Sequence, residues 1–399
     1  MGPKGPMAEG YHMLNRRTFL KSSSLLALAP TVPVFVTRTA RAAEPAKDAR
    51  VLVVVQLDGG NDALNTLVPL KNETYQKLRP RLKIADKDAV KLSDNFGLHP
   101  SFRQADKLIK AGQLLAIPGV GYPNPNRSHF ESMAIWHTAK TDPEEYKGYG
   151  WLGRALDTSG GDSYTITNDV PRALRGRRSA AIALTRLEDL TLADAGTVKN
   201  ATGPEAQQDL LAFVRRHAVD GTTAAEKMSA MAKATDGGNY PGTTVGERLK
   251  LIARLLKADL GTRVFYTVQG GYDTHATQQF THSNLLFEFA GAVNAFFADL
   301  QTAKLADRVT LLAFSEFGRT IKENGSAGTD HGTAGVVFLC GPNVKSGVIG
   351  SLPSLTELDK GEPKMTTDFR QVYATVLTDW LGIKADVLGG SYETMKLFS

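Results

Sequence analysis

Residues Val51–Leu57, VLVVVQL, run directly into Asp58, Gly59 and Gly60, and this stretch decides the fold. Six of the seven residues are apolar, and four of them are valine, which favours strands. An unbroken run of this kind is typical of a strand buried on both faces, as in a parallel sheet covered by helices. The run ends at a carboxylate and two glycines, so the strand is predicted to carry Asp58 to the edge of a sheet.

Other short apolar runs alternate with helical patterns along the chain. The further predicted strands are 114–117, 180–184, 263–268, 309–314 and 336–339. Apolar residues recur at three- and four-residue spacing from Leu285 to Leu300, and again from Val372 to Leu381 ahead of Gly382, which predicts two helices. The alternation predicts an α/β fold, namely a doubly wound, mostly parallel sheet with helices on both faces.

The middle of the chain differs in composition from the rest. From about 150 to 244 it is rich in Gly, Asp, Thr and Ala, with weak helical patterns at 209–217 and 224–234. We interpret this region as a cap inserted into one domain that spans 43–399. Insertions at the carboxyl ends of strands are where such folds place substrate specificity.

The first 42 residues are predicted to be a twin-arginine export signal. Arg16 and Arg17 precede an apolar pair, and a moderately apolar stretch interrupted by two prolines follows at 22–36. That stretch is too short and too broken to span a bilayer, so no membrane anchor is expected after cleavage. The small residues Ala40 and Ala42 then mark a cleavage site. The prediction is a periplasmic or extracellular protein whose partner during export is the twin-arginine translocase.

Charge and cysteine content narrow the class of protein. The net charge is +6, but the leader holds six basic residues and one acidic residue, which leaves the mature chain at about +1. Nucleic acid is therefore not an expected partner, because its binding needs a concentrated basic face. Cys340 is the only cysteine, so no intramolecular disulfide can form and stability must come from a core.

Four places carry carboxylates or imidazoles of the ligand type, and three of them follow predicted strands directly. In a doubly wound sheet these ends meet at one edge, where binding sites form. The candidate metal ligands are Asp58, Asp273, His275, Glu316, Asp330 and His331.

Each candidate residue also has a simpler structural interpretation, which the sequence leaves open. Asp58 is equally typical of an acid that caps a glycine turn, and Glu316 of a solvated helix cap. Asp330 and His331 fit an ordinary turn between glycines, and an Asp-x-His spacing like that of Asp273 and His275 is common by chance.

The segment Asn124–Phe130 is predicted to open a helix with Ser128 near its N-terminus. Backbone N–H groups there would favour an anionic ester and ease ionisation of the Ser128 hydroxyl, while Arg127 would hold the anion. The plainer readings are a serine N-cap and a surface arginine.

The motifs VQLDGGND, RSHF, GGYDTH, SEFGRT and GTDHG, spread over nearly all of the mature chain, resemble those of the DUF1501 family. The resemblance implies an alkaline-phosphatase-like fold related to the phosphatase and sulfatase superfamily. It implies that Asp58 bridges a metal to the nucleophile, Ser128, and that Asp273, His275 and His331 hold one ion. Glu316 then corresponds to the acid of an Asp-His pair on a second ion.

The chain departs from the superfamily pattern at Phe317, which stands where the histidine of that pair belongs. Alternatively, Asp330 and His331 form the pair and the first site lacks its last ligand. Either alignment predicts one tightly held divalent ion, with Asn61 and Asp62 offering further oxygen ligands. The metal is Zn, Mg, Ca or Mn. Cys340 does not lie in the context of a formylglycine sulfatase, which disfavours that chemistry.

The expected function is an exported metal-dependent hydrolase of phosphate or sulfate esters, with an anionic ester as substrate. The alternative is a catalytically degenerate member that acts as a cell-surface binding or assembly protein, and Phe317 favours it. The sequence does not name the oligomeric state.

Overall fold

The computed structural model describes residues 50–179, 181–186, 238–259 and 261–399. The predicted export signal and the weak helical patterns at 209–217 and 224–234 lie outside these residues. The strands, in chain order, are β1 Val51–Leu57, β2 Leu67–Pro69, β3 Val90–Lys91, β4 Phe96–Leu98, β5 Leu114–Gly121, β6 Ser163–Ile166, β7 Ala181–Leu184, β8 Val264–Gln269, β9 Val309–Phe314, β10 Gly335–Cys340, β11 Gly347–Val348, β12 Leu358–Asp359, β13 Glu362–Pro363 and β14 Thr367–Asp368.

The α-helices are α1 Ala63–Thr66, α2 Glu73–Leu78, α3 Asp106–Lys110, α4 His129–Thr138, α5 Trp151–Ser159, α6 Thr244–Lys257, α7 Gln278–Thr302 and α8 Phe369–Thr375. A π-helical turn, Val376–Trp380, continues α8, and 3-10 turns lie at Pro100–Ala105, Arg172–Leu174, Ala306–Arg308 and Ala385–Leu388. The two helices predicted from apolar spacing are α7 and α8.

One nine-stranded sheet organises the chain in the order β11-β5-β10-β9-β1-β8-β6-β7, with β14 also paired to β5. β1 lies at its centre, parallel to β8 on one side and to β9 on the other, and all seven of its residues are buried. Only β10 runs antiparallel, between β9 and β5. The predicted doubly wound, mostly parallel α/β fold is confirmed.

Helices cover both faces of this sheet. On one face α4, α5 and α8 bury an aromatic cluster in which Trp136 stacks on Phe314 at 5.0 Å and Trp151 stacks on Tyr373 at 3.9 Å between ring centroids. On the other face Phe338 of β10 meets Phe289 of α7 at 6.4 Å. Because neighbouring residues of a strand point to opposite faces, β10 contributes to both cores. Cys340 is buried in the same strand.

Part of the predicted cap belongs to the sheet instead. Within 150–244, α5 packs into the core through Trp151, and β6 and β7 extend the sheet in parallel beyond β8. β7 corresponds to the strand predicted at 180–184, whereas the glycine-rich composition concealed β6, in which Tyr164 and Ile166 are buried. The rest of the predicted cap, from 187 to 237, lies outside the described residues. No helix in the described part of the chain is long and apolar enough to cross a bilayer.

Candidate metal centre

The loops that follow β1, β8 and β9 meet at one edge of the sheet. The Tyr272 N–H donates to the Asp58 carbonyl at 3.1 Å, and the Gly59 N–H donates to Glu316 Oε1 at 3.0 Å. Parallel neighbours place their carboxyl ends side by side, so residues more than 200 positions apart in the chain become neighbours here.

Two glycines make this approach possible. Gly59 has φ +115°, and a Cβ there would lie 2.5 Å from the backbone nitrogen of Asp273. Gly60 has φ +75°, and a Cβ there would lie 2.5 Å from the Phe317 ring. The two glycines thus leave space that a side chain would fill. In the structure they admit the neighbouring loops of the protein itself.

Three imidazoles and one carboxylate lie close together around His331. His331 Nε2 lies 3.0 Å from His129 Nε2, 3.0 Å from His275 Nε2 and 3.2 Å from Asp273 Oδ1. Asp273 Oδ1 in turn lies 3.0 Å from His275 Nε2 and 3.5 Å from His129 Nε2. We call these four atoms the metal centre, a candidate site in which His129, Asp273 and His331 are the residues whose ligand atoms all lie within 4.8 Å of one another.

The outer nitrogen of each imidazole bonds to an oxygen acceptor. His331 Nδ1 donates to the Arg127 carbonyl at 2.8 Å, His129 Nδ1 to Glu316 Oε1 at 2.7 Å, and His275 Nδ1 to Asp330 Oδ1 at 3.0 Å. A carbonyl or carboxylate can only accept, so each Nδ1 carries a proton, and in the neutral imidazole the Nε2 atom then presents a lone pair to the centre. Lone pairs 3.0 Å apart repel one another unless a cation lies between them.

The spacing of the donor atoms fits a metal ion. Bonds of about 2.0–2.1 Å at tetrahedral angles separate neighbouring ligand atoms by ~3.4 Å. His129, Asp273 and His331, whose ligand atoms lie within 4.8 Å of one another, form edges of 3.0, 3.2 and 3.5 Å. Nitrogen-rich donor sets suit first-row transition metals better than Mg or Ca.

Arg319 fixes the carboxylate of the centre. Its side chain is fully buried, and Nη2 donates to Asp273 Oδ1 at 2.6 Å, whereas the Asp273 side chain is 48% exposed. Partial burial acts to raise the pKa of Asp273, but the hydrogen bond and charge of Arg319, together with His275, lower it to about 2. Asp273 is therefore an anion at any pH at which the imidazoles are neutral.

Phe317 packs against two imidazoles of the centre. Its ring is buried and lies 4.9 Å from the His129 ring and 5.0 Å from the His331 ring, centroid to centroid. A phenyl ring offers no ligand atom, so the side of the centre next to it is closed to a second ion.

Asp58 is held behind the centre by a buried chain of polar groups. Gln56 Nε2 donates to Asp58 Oδ1 at 2.8 Å, while Gln56 Oε1 accepts from the Tyr266 hydroxyl at 2.5 Å and lies 3.0 Å from His137 Nε2. Burial, followed by the negative charge of Glu316, raises the pKa of Asp58. Asp58 thus lies near Glu316 and His129 without bonding to the four donor atoms.

Comparison with known protein families identifies the family of this chain. The family described as "Protein of unknown function (DUF1501)" matches residues 49–387. The chain belongs to the DUF1501 family. All four donor residues of the metal centre fall within the matched region of this DUF1501 chain. No curated protein matches it.

Solved structures resemble this DUF1501 chain at low identity. The C-terminal periplasmic domain of EcEptC from Escherichia coli, in complex with Zn, is 10% identical over 76% of this chain and 74% of that chain, with a TM-score of 0.39. A sulfatase from Pseudoalteromonas sp. is 11% identical over 92% of this chain and 72% of that chain, with a TM-score of 0.40. The lipoteichoic acid synthase LtaP from Listeria monocytogenes is 10% identical over 89% of this chain and 81% of that chain, with a TM-score of 0.32.

The predicted ligands divide into two groups in the structure. Asp273, His275 and His331 present atoms to the centre, whereas Glu316 and Asp330 bond to the Nδ1 atoms of histidines one step further out. Both oxygens of Glu316 are already engaged, because Oε2 accepts from the Ser315 hydroxyl at 2.9 Å. In this arrangement Glu316 and Asp330 orient imidazoles.

Asn61 and Asp62, predicted as further oxygen ligands, face away into the core. Asp62 is fully buried and pairs with the equally buried Arg79 at 2.6 Å. Asn61 Oδ1 lies 2.9 Å from His282 Nε2. Burial acts to raise the pKa of Asp62, but the charges of Arg79 and His282 lower it. These groups form a separate buried network.

Ser128 and Arg127 lie at the rim of the centre. Ser128 is the N-cap residue of α4, yet its exposed hydroxyl makes no capping hydrogen bond, so the plain N-cap reading does not describe it. The Arg127 side chain is exposed, and its carbonyl is the group that orients His331.

His129 is the ligand that sequence reasoning missed. It adjoins Ser128 in the RSHF motif, and attention to the hydroxyl left the imidazole unused. The available signal was the shortage of histidines elsewhere, since either alignment lacked one imidazole and His129 was the unassigned histidine within a motif.

Proposed function

We propose that this DUF1501 protein is an exported, metal-dependent hydrolase of phosphate or sulfate esters. The observation that carries the proposal is the convergence of three Nε2 lone pairs and Asp273 Oδ1, each imidazole fixed by an oxygen acceptor on its Nδ1. Ligands held in this way are typical of metal sites. The donor set favours one Zn or similar first-row ion per chain over Mg or Ca.

The residues of the chain have distinct tasks in such a reaction. His129, His275, His331 and Asp273 would hold the ion, which when bound supplies Lewis acidity toward an ester oxygen. The Ser128 hydroxyl, exposed and uncommitted beside His129, is the candidate nucleophile. The N–H groups that open α4 favour an anion beside it, because the first turn of a helix leaves them without partners.

A binding or assembly protein without catalysis is the second candidate. Phe317 favours it, because the ring closes the side of the centre where a two-metal phosphatase holds its other ion. The two candidates agree on the metal and differ on turnover.

The test separates metal binding from turnover. Chelator-stripped protein is titrated with Zn and with Mn by calorimetry, and p-nitrophenyl phosphate and p-nitrophenyl sulfate are assayed before and after loading. We expect one ion per chain and hydrolysis only after loading. Ser128→Ala should keep the ion and lose at least about 100-fold in kcat, while Ser391→Ala, at an exposed serine near the C-terminus, should match the wild type.

The outcomes discriminate between the candidates. Tight binding of one ion without hydrolysis of either ester would favour the binding protein. Tight binding of two ions would show that a ligand has been assigned wrongly, and no binding of either metal would remove the proposal.

Export is a separate part of the proposal. It rests on the Arg16-Arg17 pair and the apolar stretch that follows. Changing both arginines to lysine should trap the precursor in the cytoplasm, as followed by cell fractionation, because the receptor reads the guanidinium pair. Normal export of that variant would refute the assignment.

A further inference from the structure

A cavity of about 680 Å³ opens beside the metal centre. One wall is the segment 121–127, and the other is the β12–β13 hairpin with the residues that follow it. This volume is well within the range of sites that enclose small organic molecules, about 300–1,000 Å³. It exceeds what the acid group of a single ester fills.

The cavity and the metal centre share a wall. The Arg127 carbonyl accepts from His331 Nδ1 at 2.8 Å, and Arg127 is also one of the residues that line the cavity. Thr333, two residues beyond His331, also lines the cavity, and its hydroxyl donates to the Pro363 carbonyl at 2.7 Å. This bond attaches the hairpin to the loop that carries His331, so both sites are built on the same segments.

The lining of the cavity is positively charged. Arg127, Lys360 and Lys364 are exposed and form no ion pair with any described residue, whereas Asp359 is the single acidic residue among those that line it. Glu362, the first residue of β13, is buried with Oε2 unpartnered, and burial raises its pKa to about 7 although the charge of Arg127 acts to lower it. Glu362 does not itself line the cavity, so the lining carries three basic side chains against one acidic side chain.

We propose that this cavity is a subsite for a second anionic group, carried by the same molecule as the ester at the metal centre. The substrates would then be polyanions, namely carriers that bear several sulfate or phosphate groups. This inference rests on the proposed function, since it places the carrier of the ester in the cavity.

The experiment uses the mature chain and three labelled dextran oligosaccharides of equal length: neutral, sulfated and phosphorylated. Binding is followed by fluorescence anisotropy in about 50 mM salt, where exposed charges are weakly screened. We expect the wild type to bind at least one of the charged oligosaccharides and not the neutral one. The double variant Lys360→Gln/Lys364→Gln should weaken that binding about 5- to 20-fold.

The matched control changes two exposed lysines elsewhere, Lys304→Gln/Lys384→Gln. Lys304 follows the far end of α7, a 25-residue helix about 38 Å long whose first turn lies near the metal centre. The control variant should bind as the wild type does. Preference for one charged oligosaccharide would identify sulfate or phosphate as the anion.

Two results would overturn the inference: equal binding of the neutral oligosaccharide, or wild-type affinity in the Lys360/Lys364 variant. Failure of the proposed function appears separately, as absence of p-nitrophenyl ester hydrolysis by the metal-loaded protein. Lysine-dependent binding of a charged oligosaccharide without hydrolysis would support the cavity as an anion site and refute the esterase.

Discussion

Two clusters of the same residue types lie just beyond β1, and they are built in opposite ways. The buried network joins Asp62, Arg79 and His282 in the core, where Asp62 and Arg79 have no exposed surface. The metal centre joins Asp273 and Arg319 to three imidazoles, but its Asp273 side chain is 48% exposed. Aspartate, arginine and histidine within a few ångströms of one another therefore do not by themselves define a site.

The two clusters differ in where the lone pairs of their carboxylate oxygens and imidazole nitrogens point. In the buried network the Asp62 carboxylate accepts hydrogen bonds from Arg79, Gln278 and the backbone N–H of Asn65. In the metal centre the Nδ1 atoms of the imidazoles are hydrogen-bonded to oxygen atoms, and the Nε2 atoms of His129 and His275 face that of His331. The first arrangement pairs its carboxylate with donors of the protein, whereas the second presents Nε2 atoms that a cation would satisfy.

The largest effect on stability is expected from the buried network. Arg79→Met removes the partner of a fully buried carboxylate and should lower the free energy of unfolding by about 3–5 kcal/mol. Urea denaturation measures the loss, and Asp62→Leu added to Arg79→Met should recover most of it. Below the unfolding transition, the metal affinity of the single variant should stay within about 3-fold of the wild type. A large loss of affinity would show that the two clusters act as one.

The largest effect on metal affinity is expected from the other cluster. His331→Ala removes the nitrogen that contacts all three other donor atoms and should weaken binding at least about 100-fold, since even changes behind a ligand cost 10–100-fold. Its matched control, His282→Asn, should lower Tm by several degrees and leave the affinity unchanged. Calorimetry and thermal unfolding of both variants test the contrast, which reversed results would contradict.

A smaller effect concerns pH. The hydrogen bond with Glu316 raises the pKa of His129 above its usual 6.5, so protons compete with metal there at a higher pH than for an ordinary histidine. Metal affinity should therefore begin to fall above pH 6.5 as the solution is acidified. Burial lowers the pKa of His99 to about 3 and that of His282 to about 4, so neither titrates in this range.

Glu316→Gln sharpens the pH test. It removes the charge that stabilises protonated His129, so the onset of metal release should move to lower pH. The control Glu288→Gln, at a partly exposed position of α7, should leave the pH profile unchanged. An identical profile for Glu316→Gln and wild type would show that His129 does not hold the ion.

Much of the fold follows from local patterns. The bounds of β1 and β9 agree with the predicted strands, because each is a continuous apolar run that ends at a polar residue. The antiparallel direction of β10 was not predictable, since an apolar run carries no direction. β6 was hidden because it is a four-residue strand with a serine and a threonine in it.

The candidate site was predictable only in part. Position after a strand identified Asp273 and Glu316, but not that one faces the centre and the other an imidazole. That distinction depends on side-chain direction in loops, which residue spacing does not fix. His129 enters from the opposite side, at the start of α4, and only tertiary packing brings it to His331.

Arg319 also joins several loops by hydrogen bonds, and these bonds bear on when the protein can acquire its metal. Its guanidinium bonds to the carbonyls of Gly59, Gly60, Tyr272 and Thr329, which tie together the loops after β1 and β8 and the loop that carries His331. The donor atoms lie on separate loops that Arg319 joins, so the complete centre exists only in the folded chain. For a chain exported in the folded state, as we propose, capture belongs to the cytoplasm, and the metal would be chosen by that compartment's supply rather than by the destination's.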